Sequence, residues 1–379
     1  MAKWEDINQD ILSQILKIIK DPSDHIRCSA VCSSWRSAAL HHRYTLQHSI
    51  PGLIVSPRYS LNRTFLDFRT NSPPFIYDHD HDHDLDVSCF DTCVGSYQGW
   101  VLLTSHDNSS VYVQNPFLNR RRFLPTLGNK KIYKGIFSSS PSFDPKCIVL
   151  ILFQSENAAF CYVGDDSWKK LTCQIYNNLA FSDALFFQGK FYVVDDYGKI
   201  YTLDFDHTIL VPIKSQPLDI SETVRYKFYL VEVQGQLCRV QRKFEFDENF
   251  FYKNDVIDDD VYETQTGYRV STREFWVLRM DPGTNEWVRV NNLGGDALFL
   301  GCNNSICVSE IELNGNIKGN KIYFTDDRQK NSKHFGMDSP GKDMGIYDMN
   351  DLNIEPVYLD PWYELMDEPP AVWVTPLPW

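Results

Sequence analysis

The most conspicuous side chains for chemistry are the alternating aspartates and histidines of residues 78–84. These seven consecutive side chains can all bind a transition metal such as zinc or nickel, and Cys89 and Cys93 follow closely. A preformed metal site needs ligands that converge from fixed positions and are held by surrounding hydrogen bonds, whereas an alternating run offers many equivalent arrangements. We therefore predict a solvated loop without a metal, and metal binding remains the alternative.

Motifs for covalent or phosphate chemistry are missing from the sequence. It has no Gly-x-Ser-x-Gly, no His-Glu-x-x-His and no glycine-rich phosphate loop. Cys302 and Cys307 flank a predicted hairpin with no histidine nearby in sequence, so we expect buried or half-buried thiols instead of a nucleophile. Asp204, Asp281 and Asp348 follow strand-like segments, where we expect them to fix turns. The sequence predicts no catalytic residue, no bound metal and no cofactor.

The net charge limits the classes of partner that the chain could bind. The chain has 379 residues and a formal net charge of −13, which argues against a nucleic-acid binder and against adsorption to anionic membranes. Residues 120–122 are three arginines in this acidic chain, a residue type that suits carboxylates and phosphates. Because they fall where a turn between strands is expected, we favour a solvated turn over a binding site.

The first elements that could position functional side chains are N-terminal helices. Ile7, Ile11, Ile15 and Ile18 recur at helical spacing, and Leu12, Leu16 and Ile19 recur beside them. This apolar arc is wider than the stripe that a surface helix needs against its own core. About forty residues cannot bury so much apolar surface alone. Either the rest of the chain covers it, as an ordinary helical cap would be covered, or a partner protein does.

The order of motifs in this segment resembles the F-box. The matching strings are Asp10-Ile11-Leu12, Ile15-Leu16, Asp24, Ile26-Arg27 and Val31-Cys32-Ser33-Ser34-Trp35-Arg36. Ile7-Asn8 replaces the usual Leu-Pro, and we expect Asn8 to cap the helix. F-boxes dock on a Skp-type adaptor within a cullin-RING ubiquitin ligase. The resemblance therefore implies an adaptor-binding surface made of Ile7, Ile11, Leu12, Ile15, Leu16, Ile26, Val31, Cys32 and Trp35.

The rest of the chain is typical of an all-β domain. Short segments rich in Tyr, Phe, Val and Ile are separated by turn residues, and a cassette of glycine followed by two strands recurs. The cassette glycines Gly99, Gly189, Gly235 and Gly319 are 90, 46 and 84 residues apart. These spacings are close to multiples of about 45, which is typical of β-propeller blades and predicts about six or seven of them.

These strings also resemble a plant β-propeller domain of the KIB type, which often follows an F-box. The most specific string is Gly319-Asn320-Lys321-Ile322-Tyr323-Phe324-Thr325-Asp326-Asp327. The predicted organisation is a small all-α F-box module (1–45), a linker with a variable insertion (46–94) and an all-β propeller (95–379) with an insertion at about 245–266. The resemblance implies a non-catalytic substrate-recognition subunit of a Skp-cullin-F-box (SCF) type E3 ubiquitin ligase.

Two other functions remain open from the sequence. The propeller could bind a small ligand or act as an enzyme, with incidental N-terminal helices, or the F-box protein could sequester its partner without ubiquitination. The target protein is not identified by any motif. Ten cysteines without a Cys-x-x-Cys pair, and a charged N-terminus without a signal-peptide pattern, predict a reducing compartment, the cytoplasm or the nucleus. No apolar run reaches the length of a membrane span.

Overall fold

The structure is a computed structural model, and its described residues form two α-helices followed by strands and one short 3-10 helix, Glu310–Glu312. It describes residues 7–19, 28, 31–42, 50–55, 62–66, 85–88, 91–128, 130–153, 158–173, 180–213, 226–247, 251–252, 265–266, 269–284, 286–313, 317–327, 343–357 and 371–375.

The helices are α1 (Gln9–Ile18) and α2 (Ser33–His42). Asn8 caps α1 as predicted, because its side-chain oxygen accepts the backbone N–H of Asp10 at 2.8 Å. The two helices pack against each other through apolar side chains.

The described strands follow one another along the rest of the chain. They are β1 (Gly52–Val55), β2 (Asn62–Leu66), β3 (Leu85–Ser88), β4 (Thr92–Tyr97), β5 (Trp100–Thr104), β6 (Val111–Asn115), β7 (Arg120–Leu124), β8 (Ile132–Phe137), β9 (Ile148–Phe153), β10 (Ala158–Tyr162), β11 (Lys169–Cys173), β12 (Phe181–Phe187), β13 (Lys190–Asp195), β14 (Ile200–Asp204), β15 (Ile209–Pro212), β16 (Tyr226–Val233), β17 (Gln236–Asp247), β18 (Phe251–Tyr252), β19 (Gln265–Thr266), β20 (Arg269–Met280), β21 (Trp287–Val290), β22 (Ala297–Leu300), β23 (Ile306–Val308), β24 (Lys321–Phe324), β25 (Gly345–Asp348), β26 (Ile354–Pro356) and β27 (Val372–Val374).

The described strands form a β-propeller built from five large sheets and one small hairpin. Three sheets have four strands, in the orders β27-β1-β2-β3, β4-β5-β6-β7 and β16-β17-β20-β21. A fourth has five strands, in the order β23-β22-β24-β25-β26. The remaining large sheet has eight strands, and β18 and β19 form the separate pair inside the predicted insertion.

The eight-stranded sheet consists of two antiparallel meanders, β8–β11 and β12–β15. One parallel pairing joins their outer strands, with Thr172 opposite Ile209 and Cys173 opposite Leu210. The inner strands β8 and β12 also contact each other. The described residues therefore form four sheets of four or five strands plus this double one, instead of six or seven separate sheets.

The segment 46–94, interpreted from sequence as a linker, contributes three strands to a sheet. β1 pairs with β2 on one side and with the C-terminal β27 on the other, where Leu53 lies opposite Trp373. Leu53, Val55 and Leu66 are fully buried, which stabilises this pairing. The first and last described strands thus meet in one sheet, which joins the last part of the propeller to the first.

Apolar clusters hold neighbouring groups of strands together. Among the described residues, six such clusters each combine side chains from two consecutive groups of strands, the two meanders counting separately. Trp168 and Trp287 pack against two of these clusters, so each contacts the apolar layer between neighbouring groups of strands. The indole N–H of Trp168 donates to the Pro125 carbonyl of the neighbouring sheet at 2.6 Å.

The three aspartates that were predicted to fix turns accept backbone N–H groups within those turns. Asp204 accepts the N–H groups of Asp206 and His207, and Asp281 accepts those of Gly283 and Thr284. Asp348 accepts the N–H of Asn350 at 2.8 Å in the same way. All three carboxylates are therefore occupied in local turns, as predicted.

Candidate functional site

The N-terminal helices form a small core of their own. Leu12 and Leu16 of α1 pack against Trp35, Ala38 and Ala39 of α2, and all five are buried. The partly buried residues around this core are Ile7, Ile19, Cys28 and Cys32. Every described member of the cluster therefore comes from the N-terminal segment, and none comes from the sheets.

Half of the apolar arc of α1 lies outside this core. At 100° per residue, Leu12 and Leu16 point toward α2, while Ile11 and Ile18, seven residues apart, share an adjacent face. Ile11 is 55% exposed, Ile18 is 78% exposed, and Val31 just before α2 is 49% exposed. Such large exposed apolar side chains on a short helix pair indicate a surface that another protein can cover.

Apart from the apolar core of the helices, a cluster of polar contacts lies where the inner strands of the sheets meet. Residues 301–305, here called the axial loop, connect β22 to β23, which form the predicted hairpin. The Asn303 side chain donates to Ser96 Oγ at 2.7 Å and accepts the Trp373 N–H at 3.1 Å. Asn304 accepts the backbone N–H of Ser96 at 3.2 Å. The loop therefore contacts β4 of the β4–β7 sheet and β27, the strand that pairs with β1.

The axial loop also reaches the opposite side of the propeller. Ser305 Oγ donates to Asp183 at 3.4 Å, and Asp183 accepts the Leu230 N–H at 2.8 Å. Asp183 also forms a fully buried ion pair with Lys134 at 2.6 Å. Burial raises the pKa of Asp183, and the Lys134 ammonium opposes that rise. Through these contacts the loop is connected to strands β8, β12 and β16.

A buried ionic network joins the β16–β21 sheet to the five-stranded sheet. Asp327 pairs with Lys227 at 2.9 Å and with Arg242 at 3.1 Å, and it accepts the Tyr229 hydroxyl at 2.8 Å. Arg242 pairs with Asp343 as well, at 3.1 Å. Burial alone would raise the pKa of Asp327, but the two cations outweigh burial and lower it to about 2. The network therefore holds its charges in balanced pairs.

Two family models match the chain. A model described as F-box-like matches residues 9–47, which include both helices, and one described as KIB1-4 beta-propeller matches residues 76–348. The second match covers well over half of the chain. The chain is a plant F-box protein with a KIB1-4 β-propeller domain.

Relatives of this F-box protein share its organisation over nearly the full length. It is 30% identical to the Arabidopsis thaliana F-box protein At3g25750, over 86% of the chain and 88% of that protein. It is 22% identical to the F-box protein SKIP23 of the same plant, over 99% of the chain and 96% of that protein. The F-box/kelch-repeat protein At1g64840, also from Arabidopsis thaliana, is 23% identical over 86% of the chain and 85% of its own length.

The predicted adaptor-binding residues of the F-box divide into two groups. Ile11 and Val31 are exposed, and Ile7, Ile15 and Cys32 are half-buried. Ile26 lies outside the described residues. Leu12, Leu16 and Trp35 are instead buried in the module's own core. The prediction from sequence assigned the whole apolar arc to one adaptor-binding surface, although α2 covers about half of that arc.

The thiols of Cys302 and Cys307 are unsuited to nucleophilic chemistry. Cys302 is buried and Cys307 is half-buried, as the sequence indicated. Burial raises the pKa of Cys302 to about 12 and also raises that of Cys307, so neither is a thiolate near neutral pH. Among the described residues no group of three His, Cys, Asp or Glu could hold a metal ion. Residues 78–84 and Cys89 lie outside that part of the chain.

Sequence reasoning missed several residues of the structure. Ile18 was noted in the apolar arc but not chosen as an adaptor contact, although it is the most exposed apolar residue of α1. Its position seven residues after Ile11 was the available signal. The partners Lys134 and Asp183 are far apart in sequence, and nothing local indicated that they would meet. In the described part of the chain, no helix is long and apolar enough to cross a membrane.

Proposed function

We propose that this F-box protein is the substrate-recognition subunit of an SCF-type E3 ubiquitin ligase, in the cytoplasm, the nucleus or both. The F-box would dock on a Skp-type adaptor, and the propeller would bind a target protein. One observation carries the proposal: the F-box-like match coincides with a helix pair that leaves Ile11, Ile18 and Val31 exposed outside its own core. These side chains are available to a partner without any rearrangement.

The proposed adaptor surface has a contact layer and a supporting layer. Ile11, Ile18 and Val31 make the central contacts, and the half-buried Ile7, Ile15 and Cys32, together with Ile26, complete the surface. The supporting layer is the core of Leu12, Leu16 and Trp35, which fixes the orientation of α1 against α2. Burying one large apolar side chain contributes roughly 1.5–3 kcal/mol, so a few contacts can sustain a stable complex.

No bond chemistry is required of the chain in this role. A target held on the propeller and a ubiquitin-carrying enzyme held through the adaptor become neighbours in one complex. Tethering raises the effective concentration of the target's lysines near that enzyme, which makes transfer more frequent without a catalytic residue here. The raised pKa values of the buried thiols are consistent with this non-catalytic role.

The position of the axial loop is relevant to the alternative function, in which the propeller binds a small ligand or acts as an enzyme. A ligand in the centre of a propeller needs an open axial channel, whereas here residues 301–305 contact Ser96, Trp373 and Asp183 from different sheets. The position of the loop therefore favours recognition on the outer surfaces. Sequestration of a partner without ubiquitination is the other alternative, and a ubiquitination assay with the assembled complex distinguishes it.

We also infer that the propeller has six blades. The eight-stranded sheet would count as two, because its meanders are joined by only one short parallel pairing. Six apolar clusters between consecutive groups of strands support this number.

Two aspartates on the exposed face of α1 should abolish adaptor binding. In Ile11→Asp/Ile18→Asp, two apolar contacts are replaced by charges that the adaptor would have to desolvate. We expect affinity for a purified Skp-type adaptor to fall by about 100-fold or more. Isothermal titration of the full chain with the adaptor measures the change.

The matched control is Val288→Asp/Ile311→Asp. Both are exposed apolar side chains of the propeller, so the variant makes the same change from apolar to charged outside the F-box. We expect its affinity to stay within about twofold of the unmodified chain. Equal affinities of both variants, with helicity retained, would refute this docking surface. A chain that binds no adaptor at all would refute the proposed function.

A further inference from the structure

The outer strand of the β4–β7 sheet concentrates positive charge in an acidic protein. Residues 108–143 contain six basic residues and no acidic residue, so the rest of the chain carries a net charge of −19, although one of the six, Lys134, is buried in its ion pair with Asp183. Three of the six, Arg120, Arg121 and Arg122, occupy consecutive exposed positions of β7. The sequence pattern predicted a turn here, whereas the structure has a strand with the turn just before it.

The β7 edge is also open for pairing. β7 is the last strand in the order β4-β5-β6-β7, so its outer backbone groups pair with no strand among the described residues. The neighbouring meander provides a contrast, because its basic outer strand β11, with Lys169 and Lys170, is joined to β15. Of these two basic strands, β7 is the one whose outer edge pairs with no described strand.

Side chains on β7 are arranged for an extended ligand. Arg120 and Arg122 lie on one face of the strand, and Arg121 and Phe123 lie on the other. Arg121 donates to Gln114 at 3.2 Å and lies 4.8 Å from the centre of the Tyr112 ring, which orients its guanidinium. Phe123 is 66% exposed beside that ring and offers an apolar contact.

We propose that the β7 edge binds an extended acidic segment of the target protein, which adds as a further strand. This inference rests on the proposed function, since it names the class of target that the propeller recognises. Backbone pairing would supply affinity, carboxylates on alternate residues would meet Arg120 and Arg122 on one face, and the apolar residues between them would meet Phe123 on the other. Charge also excludes other occupants. A second copy of β7 would place arginine against arginine, and a long nucleic acid would meet the acidic remainder of the chain.

The test uses a fluorescein-labelled decapeptide of alternating Glu and Val, with anisotropy as the readout at fixed ionic strength. We expect saturable binding to the full chain. Arg120→Glu/Arg122→Glu should weaken binding by about tenfold or more, because attraction becomes repulsion. The control Lys169→Glu/Lys170→Glu makes the same change in net charge on β11 and should stay within about twofold. A peptide of the same sequence with an N-methyl group on every residue cannot donate backbone hydrogen bonds to β7 and should lose binding.

Several outcomes would overturn the inference. These are no binding of the acidic decapeptide, equal weakening by the two variant pairs, undiminished binding of the N-methylated peptide, or tighter binding of a single-stranded oligonucleotide. The same preparations are titrated with the Skp-type adaptor. Adaptor binding without peptide binding contradicts only the assignment of β7, whereas loss of adaptor binding contradicts the proposed function.

Discussion

At the scale of single residues, Asp327 is the centre of the buried charge in the propeller. Lys227 and Tyr229 of β16 and Arg242 of β17 all contact its carboxylate, which follows β24 of the next sheet. A buried ion pair adds little to stability when complete, because desolvation offsets attraction, but removing one partner leaves an uncompensated charge. The contact between the two sheets therefore depends on the Asp327 carboxylate being ionised.

Asp327→Asn should destabilise the propeller by about 3–5 kcal/mol at neutral pH, because Lys227 and Arg242 would lose a buried counter-charge. In the native protein the pKa of Asp327 is lowered from 3.8 to about 2. Its contribution to stability is thus fully present above about pH 4 and is lost as the pH falls toward about 2. The variant should show a smaller loss of unfolding free energy over that interval. Urea unfolding at several pH values measures it.

The control for this prediction is Asp348→Asn. Asp348 makes a partly exposed pair with Lys321, and an asparagine can still accept the Asn350 N–H, so we expect a loss of under about 1 kcal/mol. If the two variants had equal stability, or the Asp327→Asn profile ran parallel to the native one between pH 4 and 2, Asp327 would not have the role described.

The sequence was sufficient to predict the roles of residues whose partners are close along the chain. It was not sufficient for residues whose partners lie far away along the chain. Asp281 and Asp348 were predicted to fix turns because their partners lie two or three positions away. Asp183 and Asp327 find their partners in other sheets, and no spacing along the chain encodes such a meeting. Leu12 and Trp35 were recognised as important, but which side they face depends on how α1 packs on α2.

At the scale of elements, the axial loop connects parts of the propeller that are remote in sequence. Asn303 is fully buried and satisfies polar groups of Ser96 and Trp373 with both ends of its amide. Because Trp373 belongs to β27, the loop also supports the sheet in which the two ends of the chain meet. We therefore expect it to stabilise closure of the ring.

Asn303→Ala should lower the unfolding free energy by about 3 kcal/mol, since the buried Trp373 N–H would lose its acceptor and the Trp373 carbonyl would keep only Ser96 Oγ as a side-chain donor. Asn304→Ala is the matched control, because Asn304 is half-buried and makes one bond to Ser96, and we expect it to cost about 1 kcal/mol. Urea unfolding followed by tryptophan fluorescence measures both. Equal losses would show that the Asn303 bonds do not contribute to closure.

The strands of the N-terminal third show where element prediction fails. β1, β2 and β3 have four or five residues each and are separated by long connections, so their alternation is too brief to be recognised. Their identity as strands depends on pairing with one another and with β27, which lies more than 300 residues away. The repeating cassettes after Gly99 were recognisable because each strand and its partner are close in sequence.

At the scale of the whole molecule, the chain separates two kinds of apolar packing. The propeller buries its apolar residues in clusters between groups of strands, while the F-box has its own small core and leaves Ile11 and Ile18 exposed. The period of about 45 residues was sufficient to predict a propeller. It could not reveal that two meanders share one sheet, because that depends on the single pairing of β11 with β15.

The central claim is that the exposed apolar face of the F-box binds a Skp-type adaptor. Amide hydrogen exchange of the full chain, with and without saturating purified adaptor, tests it most directly. Exchange should slow across residues 9–18 and 31–36 and remain unchanged in residues 301–305. Unchanged exchange in both helices, or slowing confined to the propeller, would contradict the claim.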